Sequence, residues 1–328
     1  MNDPHGIVWD GTQYHMFFQY IPNSLTWQSN LDWGHAVSAD LIQWKQVDSA
    51  LVHTNEVGCW SGSALAIDDG FLLFYTRPTD TDWSQGQVVV VRADETLSTF
   101  NRIEPPAISA APEEKFYDFR DPQVRREADS FVMTIGAGIR EYGGCALQFH
   151  SLDGFTWKFD GVLAARSAKD ADYVATGTVW ECPQFFQLGT LWCLVISSIN
   201  PESYQQVQYA IGDYDGTTFN ARSWSHLGYS EIPYATTTFR DIDGNTCMMS
   251  WLKESENVEE YAGAQSVPLV MREVHETLQV EIHPNLMKYF SSCSKDAVSG
   301  HAWIRLSHIQ SPVALSFASE NDSMHLSF

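Results

Sequence analysis

The feature that most constrains the fold of this chain is a strand that ends in aspartate and recurs at nearly even spacing. The copies are residues 34–40, 89–94, 148–153 and 209–215, and their aspartates lie 54, 59 and 62 residues apart. Two copies share the stricter pattern Ser-x-Asp-x-x-x-Trp, from Ser38 to Trp44 and from Ser151 to Trp157. A period of about 55 residues that holds about four strands is typical of a propeller blade. We therefore predict five blades over about 265 residues.

Short β-rich segments fill the space between these repeats, and no long segment has a helical period. Six Asp-Gly pairs fall between the segments, and Asp-Gly supplies the positive φ angles that a tight hairpin needs. The pattern predicts an all-β protein made of antiparallel hairpins. The segments are 14–20, 71–76, 87–92, 131–137, 145–150, 191–197, 207–211 and 246–251, and the pairs begin at Asp10, Asp69, Asp153, Asp160, Asp215 and Asp243.

The composition changes after Trp251, where an acidic stretch, residues 253–260, leads into Pro268. We place the end of the propeller at residue 265, which gives a propeller domain of residues 1–265 and a C-terminal part of residues 266–328. Strands are expected there at 278–282, 303–306 and 314–317. The part is short for an independent β-sandwich, so it either packs against the propeller edge or begins a longer domain.

Charge and composition exclude several classes of partner. The chain has 19 basic and 41 acidic residues, a net charge of −22, and no run of Lys or Arg. Such a field repels nucleic acid and anionic membranes. Apolar stretches are far shorter than the roughly 20 residues of a membrane-spanning helix, and no secretory signal is present, so we expect a cytoplasmic protein. The six scattered cysteines, without Cys-x-x-Cys, predict reduced thiols.

Several catalytic signatures are absent. The segment 136–138 lacks the third glycine of a dinucleotide loop, and the segment 58–62 has its serine one residue too far from the first glycine for a nucleophile elbow. Asp241-x-Asp243-Gly244 is too short for a calcium loop and is interpreted as a hairpin turn. We therefore predict no cofactor and no required metal.

Three carboxylates stand out because each lies at the start of a predicted blade. Asp3 precedes Pro4, Asp121 precedes a proline in the third blade, and Glu181 begins the fourth. Each alone is explained as a turn element, but the first strands of blades line a common channel, so we predict that the three converge. Aromatic residues make up 13% of the chain, which suits either core packing or stacking on sugar rings.

Convergent carboxylates among aromatic residues suit glycoside hydrolysis, which needs one ionised and one protonated carboxyl group. Glu181 lies between Trp180 and Cys182, and these apolar neighbours favour an acid role. Arg120 is expected to keep Asp121 ionised. Asp3 is then the candidate ionised nucleophile.

At this point the sequence resembles glycoside hydrolase family 32, the family of invertases, sucrose-6-phosphate hydrolases and fructanases. The resemblance spans residue 1 to about 290 and implies a five-bladed propeller followed by a C-terminal β-sandwich, here cut short. The segments that carry it are Met1-Asn2-Asp3-Pro4-x-Gly6, Phe18-Gln19-Tyr20, Trp33-Gly34-His35-Ala36-x-Ser38-x-Asp40-Leu41-x-x-Trp44, Trp60-Ser61-Gly62-Ser63-Ala64, Phe119-Arg120-Asp121-Pro122, Glu181-Cys182-Pro183 and Tyr234-Ala235.

The resemblance implies a role for each matched residue. Asp3 becomes the nucleophile and Glu181 the acid and base, while Asp121 stabilises the transition state and grips fructose hydroxyls with Arg120. The residues implied to line the fructose pocket are Asn2, Gln19, Trp27, Trp60, Ser61 and Tyr234. Blade packing is the alternative role for the two tryptophans, and satisfying backbone groups is the alternative for Gln19.

The resemblance thus implies a retaining β-fructofuranosidase that acts on sucrose, sucrose-6-phosphate or short fructo-oligosaccharides through a covalent fructosyl intermediate. A retaining enzyme requires the Asp3 and Glu181 carboxyl groups to lie about 5–5.5 Å apart. The alternatives are a fructosyltransferase that uses the same residues and a truncated propeller that binds fructosides without turnover. The oligomeric state stays open.

Two features depart from the family pattern. His5 stands where the family usually has Asn, so the support of the nucleophile or the pH response of the pocket is expected to differ. Relatives also carry a further segment before Met1, and a nucleophile two residues from a terminus frays unless a sheet ties it down. We expect a fragment or a shortened member of the family.

Overall fold

A computed structural model describes residues 1–79, 84–170, 173–200, 205–228, 232–253, 263–289, 314–318 and 323–327. The chain divides into two compact units, Met1–Leu286 and Met287–Phe328. The first unit is a five-bladed β-propeller, as the repeat predicts.

Four of the blades are antiparallel four-stranded sheets in which the strands follow one another in sequence order. The first strand of each lies innermost. The strands are β1 Pro4–Trp9, β2 Tyr14–Tyr20, β3 Asp32–Ser38 and β4 Lys45–Leu51; β5 Trp60–Ile67, β6 Gly70–Pro78, β7 Gly86–Ala93 and β8 Phe100–Ile108; β9 Phe116–Glu127, β10 Ser130–Ile139, β11 Gly143–Ser151 and β12 Lys158–Ala165; and β13 Val179–Leu188, β14 Leu191–Ile199, β15 Gln206–Tyr214 and β16 Phe219–His226.

The fifth blade corrects the predicted domain boundary. It contains β17 Pro233–Arg240, β18 Thr246–Leu252, the two-residue β19 Ala264–Gln265, β20 Leu269–Val274 and β21 Thr277–Ile282, and a short helix, α1 Pro284–Met287, follows. β20 pairs with β18 and β21 pairs with β20, so residue 265 lies inside the blade. The acidic stretch that suggested a boundary falls in sequence between β18 and β19, and its residues from 254 onward lie outside the described residues.

The innermost strands form a closed ring. β1 contacts β5 and β17, β5 contacts β9, and β13 contacts both β9 and β17. Two hydrogen bonds join the first and last blades: the Ile242 amide donates to the Tyr14 hydroxyl at 3.0 Å, and the Gln265 side chain donates to the Asn2 carbonyl at 2.6 Å. The ring brings residues that are remote in sequence to one axis.

The core lies between blades, where large aromatic side chains such as Trp33, Phe74, Phe119 and Trp180 are fully buried. Core packing is therefore the role of most aromatic residues. Exposed residues concentrate in the fourth strands, for example β4 and β16.

The Ser-x-Asp-x-x-x-Trp repeat is a turn between the third and fourth strands of a blade. In the first blade, the Ser38 hydroxyl donates to Asp40 at 3.0 Å, Asp40 accepts the amide of residue 42 at 2.9 Å, and the Trp44 ring N–H donates to the carbonyl of residue 41 at 2.9 Å. The third blade repeats this arrangement at residues 151–157. The spacing recurs because each turn satisfies its own backbone groups.

Four of the six Asp-Gly pairs lie in turns between consecutive strands, and in a fifth Asp69 lies in such a turn while Gly70 begins β6. The pair at Asp160 does not lie in a turn, because it lies within β12, where the pairing with β11 is irregular and Gly161 has a φ of 144°. The glycine there serves a bulge rather than a hairpin turn.

In the second unit, the structure describes residues 287–289 and a hairpin of β22 Ala314–Ala318 and β23 Ser323–Ser327. The first of these strands matches the prediction at 314–317, while residues 303–306 lie outside the described residues, and the β-sandwich stays a prediction. Five cysteines are free and buried, as expected, and Cys293 lies outside the described residues. In the described part of the chain, no helix is long and apolar enough to cross a membrane.

Candidate active site

One pocket, with a volume of about 470 Å³, receives side chains from the innermost strands of four blades and, in the first blade, from Asn2 and Asp3, which directly precede the innermost strand β1. Nine of the ten predicted site residues line it, and the tenth, Ser61, contacts Asp3 from beneath. The lining residues are Asn2, Asp3, Gln19, Trp27, Leu31, Trp60, Asp118, Arg120, Asp121, Glu181, Ile199, Gln205, Tyr234 and Trp251.

Irregular backbone places these side chains at the pocket. Each innermost strand loses its regular pairing at the site, for example between Glu181 and Gln184 in β13 and between Tyr234 and Thr237 in β17. Asp121 and Cys182 have φ angles of 63° and 45°. Such bulges and left-handed residues turn side chains out of the alternating pattern, and their strain is typical of functional sites.

A chain of hydrogen bonds supports Asp3. The Asn2 side chain donates to Gln19 at 2.6 Å, Gln19 donates to the Ser61 hydroxyl at 2.6 Å, and Ser61 donates to Asp3 Oδ2 at 2.7 Å. Two backbone hydrogen bonds of 3.1 Å join Asn2 and Asp3 to Gln19. These hydrogen bonds join Asn2 and Asp3 to β2, which is the attachment to a sheet that a nucleophile close to residue 1 requires. The Gln19 side chain forms hydrogen bonds to the side chains of Asn2 and Ser61. The alternative role, in which it satisfies backbone groups, does not account for these contacts.

Burial raises the pKa of Asp3 to about 6, and the negative charge of Glu181 adds to the shift. The hydrogen bond from Ser61 opposes it by stabilising the ionised form. Asp3 therefore ionises close to neutral pH.

Asp121 lies deeper, at 5% exposure. Its carboxylate accepts the Cys182 amide at 2.8 Å, and its own amide donates to Thr76 at 2.8 Å. Burial and the charge of Glu181 raise the pKa of Asp121 above its ordinary value. Arg120 favours the ionised form of Asp121, as expected, but burial and Glu181 outweigh Arg120 in their effect on this pKa.

Glu181 contacts polar groups rather than apolar ones. Arg120 Nε donates to Glu181 Oε1 at 3.2 Å, and the Tyr234 hydroxyl donates to Oε2 at 2.5 Å. The predicted apolar setting is wrong because the Trp180 side chain turns away, is fully buried and donates to the Thr176 carbonyl. Neighbours in sequence point to opposite sides of a strand.

Arg120 is the only basic residue among the described lining of the pocket. It also forms an ion pair with Asp118 at 3.3 Å. Burial acts to lower the pKa of Arg120, but Glu181, Asp121 and Asp118 outweigh burial and raise it, so the guanidinium stays charged. One cation thus faces several carboxylates.

The two predicted tryptophans form an aromatic wall. Trp60 is buried and donates its ring N–H to the Ser29 carbonyl at 2.9 Å, so it packs within the propeller as well as lining the pocket. Trp27 is 46% exposed and meets Trp60 edge to face, with ring centroids 6.4 Å apart. An exposed indole beside polar groups suits contact with a sugar ring.

Sequence reasoning missed several contributors. Cys182 lies 3.5 Å from Asp121 Oδ2 and 3.8 Å from Asp3 Oδ2, and burial together with these carboxylates keeps its thiol pKa well above the usual range. Asp118, two residues before Arg120, carried a signal as an acidic residue in an aromatic segment. The remaining members, Leu31, Ile199, Gln205 and Trp251, carry no local motif.

One further cluster offers possible metal ligands: Asp241, Cys247 and His283, whose ligand atoms lie within 4.8 Å of one another. The His283 Nδ1 atom accepts the Asn285 amide at 3.2 Å, so in the neutral ring Nε2 carries the proton and donates to Asp241 at 3.0 Å. Asp241 also accepts the amides of residues 243 and 245, which confirms the predicted hairpin turn. This arrangement is a hydrogen-bonded pair rather than a set of free ligands.

Comparison with known proteins identifies the family. The model of the glycosyl hydrolases family 32 N-terminal domain matches residues 1–283. The chain belongs to glycoside hydrolase family 32. Within this family it is 33% identical to the sucrose-6-phosphate hydrolase of Escherichia coli over 268 residues, 77% of this chain and 54% of the relative. It is 32% identical to the raffinose invertase of Escherichia coli over 84% of this chain and 60% of the relative.

Solved structures of the family share the fold. The β-fructofuranosidase of Bombyx mori, determined in complex with sucrose, matches with a TM-score of 0.78 and 27% identity over 89% of this chain and 64% of that chain. The sucrose-6-phosphate hydrolase of Lactobacillus gasseri matches with a TM-score of 0.75 and 24% identity over 88% and 62%. The chain thus spans a little more than half the length of its curated relatives.

Proposed function

We propose that this protein is a retaining β-fructofuranosidase whose substrate is a short fructoside such as sucrose. The observation that carries the proposal is the convergence of Asp3, Asp121 and Glu181 from three blades into one pocket with a single described cation. Family membership and the sucrose complex of the Bombyx mori relative support the same class of substrate.

In the proposed reaction, Glu181 donates a proton to the glycosidic oxygen while the Asp3 carboxylate attacks the anomeric carbon of fructose. The bond to the leaving sugar breaks and a fructosyl ester forms on Asp3. Glu181 then removes a proton from water, which attacks the same carbon and releases Asp3. Two displacements retain the configuration.

The remaining groups favour the charge that develops in these steps. The fructosyl transition state has oxocarbenium character, so nearby carboxylates lower its energy. Ser61 orients Asp3 through the 2.7 Å hydrogen bond, and Arg120 and Tyr234 orient Glu181. Asp121 is proposed to hold fructose hydroxyl groups.

The pocket has room for more than one sugar. Its volume of about 470 Å³ is in the range of small-molecule sites. A second cavity of about 360 Å³ shares Asn2, Trp27 and Trp251 with it. This supports short fructo-oligosaccharides as well as sucrose or sucrose-6-phosphate as substrates.

The test is fructose release by the purified chain from sucrose, sucrose-6-phosphate, raffinose, inulin and levan, with Asp3→Asn as the matched control. The proposal expects release from at least one short fructoside and none with the variant. Transfer products at high sucrose would identify a fructosyltransferase, and calorimetric binding without release would identify a binding protein. Equal release by wild type and Asp3→Asn would contradict the proposal.

A further inference from the structure

His5 is a buried residue with two polar ring atoms. It is 2% exposed, and neither ring nitrogen makes a well-formed hydrogen bond to a described protein group, although the Asp3 backbone lies close enough to act on the ring. One face of the ring packs against Trp33, with centroids 4.1 Å apart. Buried polar side-chain atoms are nearly always hydrogen-bonded, to protein or to ordered water, so these nitrogens need an explanation.

A small cavity beside His5 offers an explanation for these nitrogens. It has a volume of about 10 Å³ and is lined by His5, Ser61, Asp121, Cys182, Gln184 and Thr237, with at least one residue from each of the five innermost strands. It therefore lies on the propeller axis, directly beneath the carboxylates of the pocket. A polar cavity of this size holds about one water molecule.

We propose that this axial cavity binds one structural water that joins His5 to the Asp121 carboxylate, which makes His5 a positioning residue for the proposed hydrolysis. The proposal rests on the proposed function for its kinetic test, but not for its structural one.

The chemistry of His5 fits this role. Burial lowers its pKa to about 3, and the nearby Asp3 backbone opposes this shift only in part, so the ring is neutral at working pH and offers one donor and one acceptor. A water that bonds to it can still donate to Asp121. The other groups that face Asp121 are Glu181, Arg120, Asp3 and Cys182. A donated hydrogen bond stabilises the ionised form of Asp121 against the carboxylates among them.

The kinetic test compares His5→Leu with His5→Asn. Leu removes the polar partner of the water, whereas Asn keeps a donor and an acceptor. The acidic limb of kcat/KM for sucrose reports Asp121 as well as Asp3, because both carboxylates act in the ionised form and both have raised pKa values. We expect His5→Leu to move this limb upward by about 0.5–1 pH unit, because the ionised Asp121 carboxylate loses a hydrogen bond. His5→Asn is expected to keep the limb of the wild type.

Met16→Ala is the matched control, because it removes a buried side chain of the first blade that does not line the cavity. Met16→Ala should lower the free energy of unfolding without moving the acidic limb of kcat/KM. If His5→Leu behaves like Met16→Ala, His5 only packs and the proposal is overturned.

High-resolution crystal structures give the second readout. We expect density for one water bonded to His5 in the wild type and to the substituted amide side chain in the His5→Asn variant, and none in His5→Leu. An empty cavity in the wild type overturns the proposal even if sucrose is hydrolysed. Absence of hydrolysis by every form, with the water present, rejects the proposed function instead.

Discussion

Two sites in the propeller hold buried carboxylates whose pKa values are shifted in opposite directions. In the pocket, Asp3 and Asp121 lie near Glu181, and their pKa values are raised, mainly by burial and further by its charge. In the fifth blade, burial also acts to raise the pKa of Asp241, but hydrogen bonds from Asn245 and His283 lower it overall. A carboxylate that donors saturate is structural, and one held among like charges is available for chemistry.

The Asp241 site contributes to stability, whereas the carboxylates of the pocket serve the proposed function. The Asp241 cluster ties the β17–β18 turn to the segment that follows β21, through the 3.0 Å hydrogen bond to His283. The pocket cluster instead concentrates like charges and left-handed backbone. Substitutions at the two sites should therefore change different measured quantities.

The largest expected effect is on catalysis by the pocket cluster. Asp3→Asn removes the nucleophile and should lower kcat for sucrose by at least about 10⁴-fold. Folding is expected to be retained, because Asn keeps the shape of the side chain. Steady-state kinetics measures kcat, and circular dichroism measures folding. A kcat equal to that of the wild type in the variant would contradict this prediction.

The counterpart is Asp241→Asn. It should lower the free energy of unfolding by about 1–3 kcal/mol, because buried donors lose their charged acceptor. The kcat for sucrose should stay within about twofold of wild type, since the residue lies outside the pocket. Urea denaturation and the sucrose assay test this, and a loss of activity without a loss of stability would contradict it.

The third expected effect is on pH dependence. Asp3 must be ionised to attack, and its pKa is about 6, so kcat/KM should fall as pH drops through about 6. A pH–rate profile of the wild type checks this. If the acidic limb of the profile instead lies near pH 3.8, the ordinary pKa of an aspartate, the pocket does not raise the pKa of Asp3.

Stability should respond to pH with opposite signs at the two clusters. Because the folded pKa of Asp3 is raised, its contribution to stability is lost as pH rises from about 4 to about 6. Because that of Asp241 is lowered, its contribution is present above 3.8 and is lost as pH falls below that value. Unfolding of wild type, Asp3→Asn and Asp241→Asn, measured from pH values below 3.8 to values above 6, gives both slopes. Slopes of the same sign at the two sites would contradict this prediction.

The smallest expected effect is that of Ser61→Ala. The hydroxyl donates to Asp3 and lowers its pKa, so its loss should move the acidic limb of kcat/KM upward by about 0.5–1 pH unit. A limb that stays in place would show that Ser61 does not tune the nucleophile.

The blades and the convergence of the carboxylates follow from the sequence because both depend on local patterns. The repeated turn at Asp40 and Asp153 satisfies its own backbone, so its spacing is visible along the chain. The first strand of each blade then faces the axis, which brings Asp3, Asp121 and Glu181 together.

What sequence could not predict depends on partners from other blades. The surroundings of Glu181 are Arg120 and Tyr234, not the residues beside it in sequence. Likewise, Trp251 reaches the pocket from a second strand without any motif, and β20 joins the fifth blade beyond the acidic stretch. Only long-range pairing decides these contacts.

The central claim is that Asp3 is the nucleophile, and trapping of the intermediate tests it most directly. A Glu181→Gln variant should hydrolyse the ester slowly, so an acid quench during turnover of an activated fructoside, followed by peptide mass spectrometry, should find one fructosyl unit on the peptide that contains Asp3. The double variant with Asp3→Asn should carry none. A fructosyl unit on the Asp121 peptide, or fructose release with Asp3 never modified, would contradict the account.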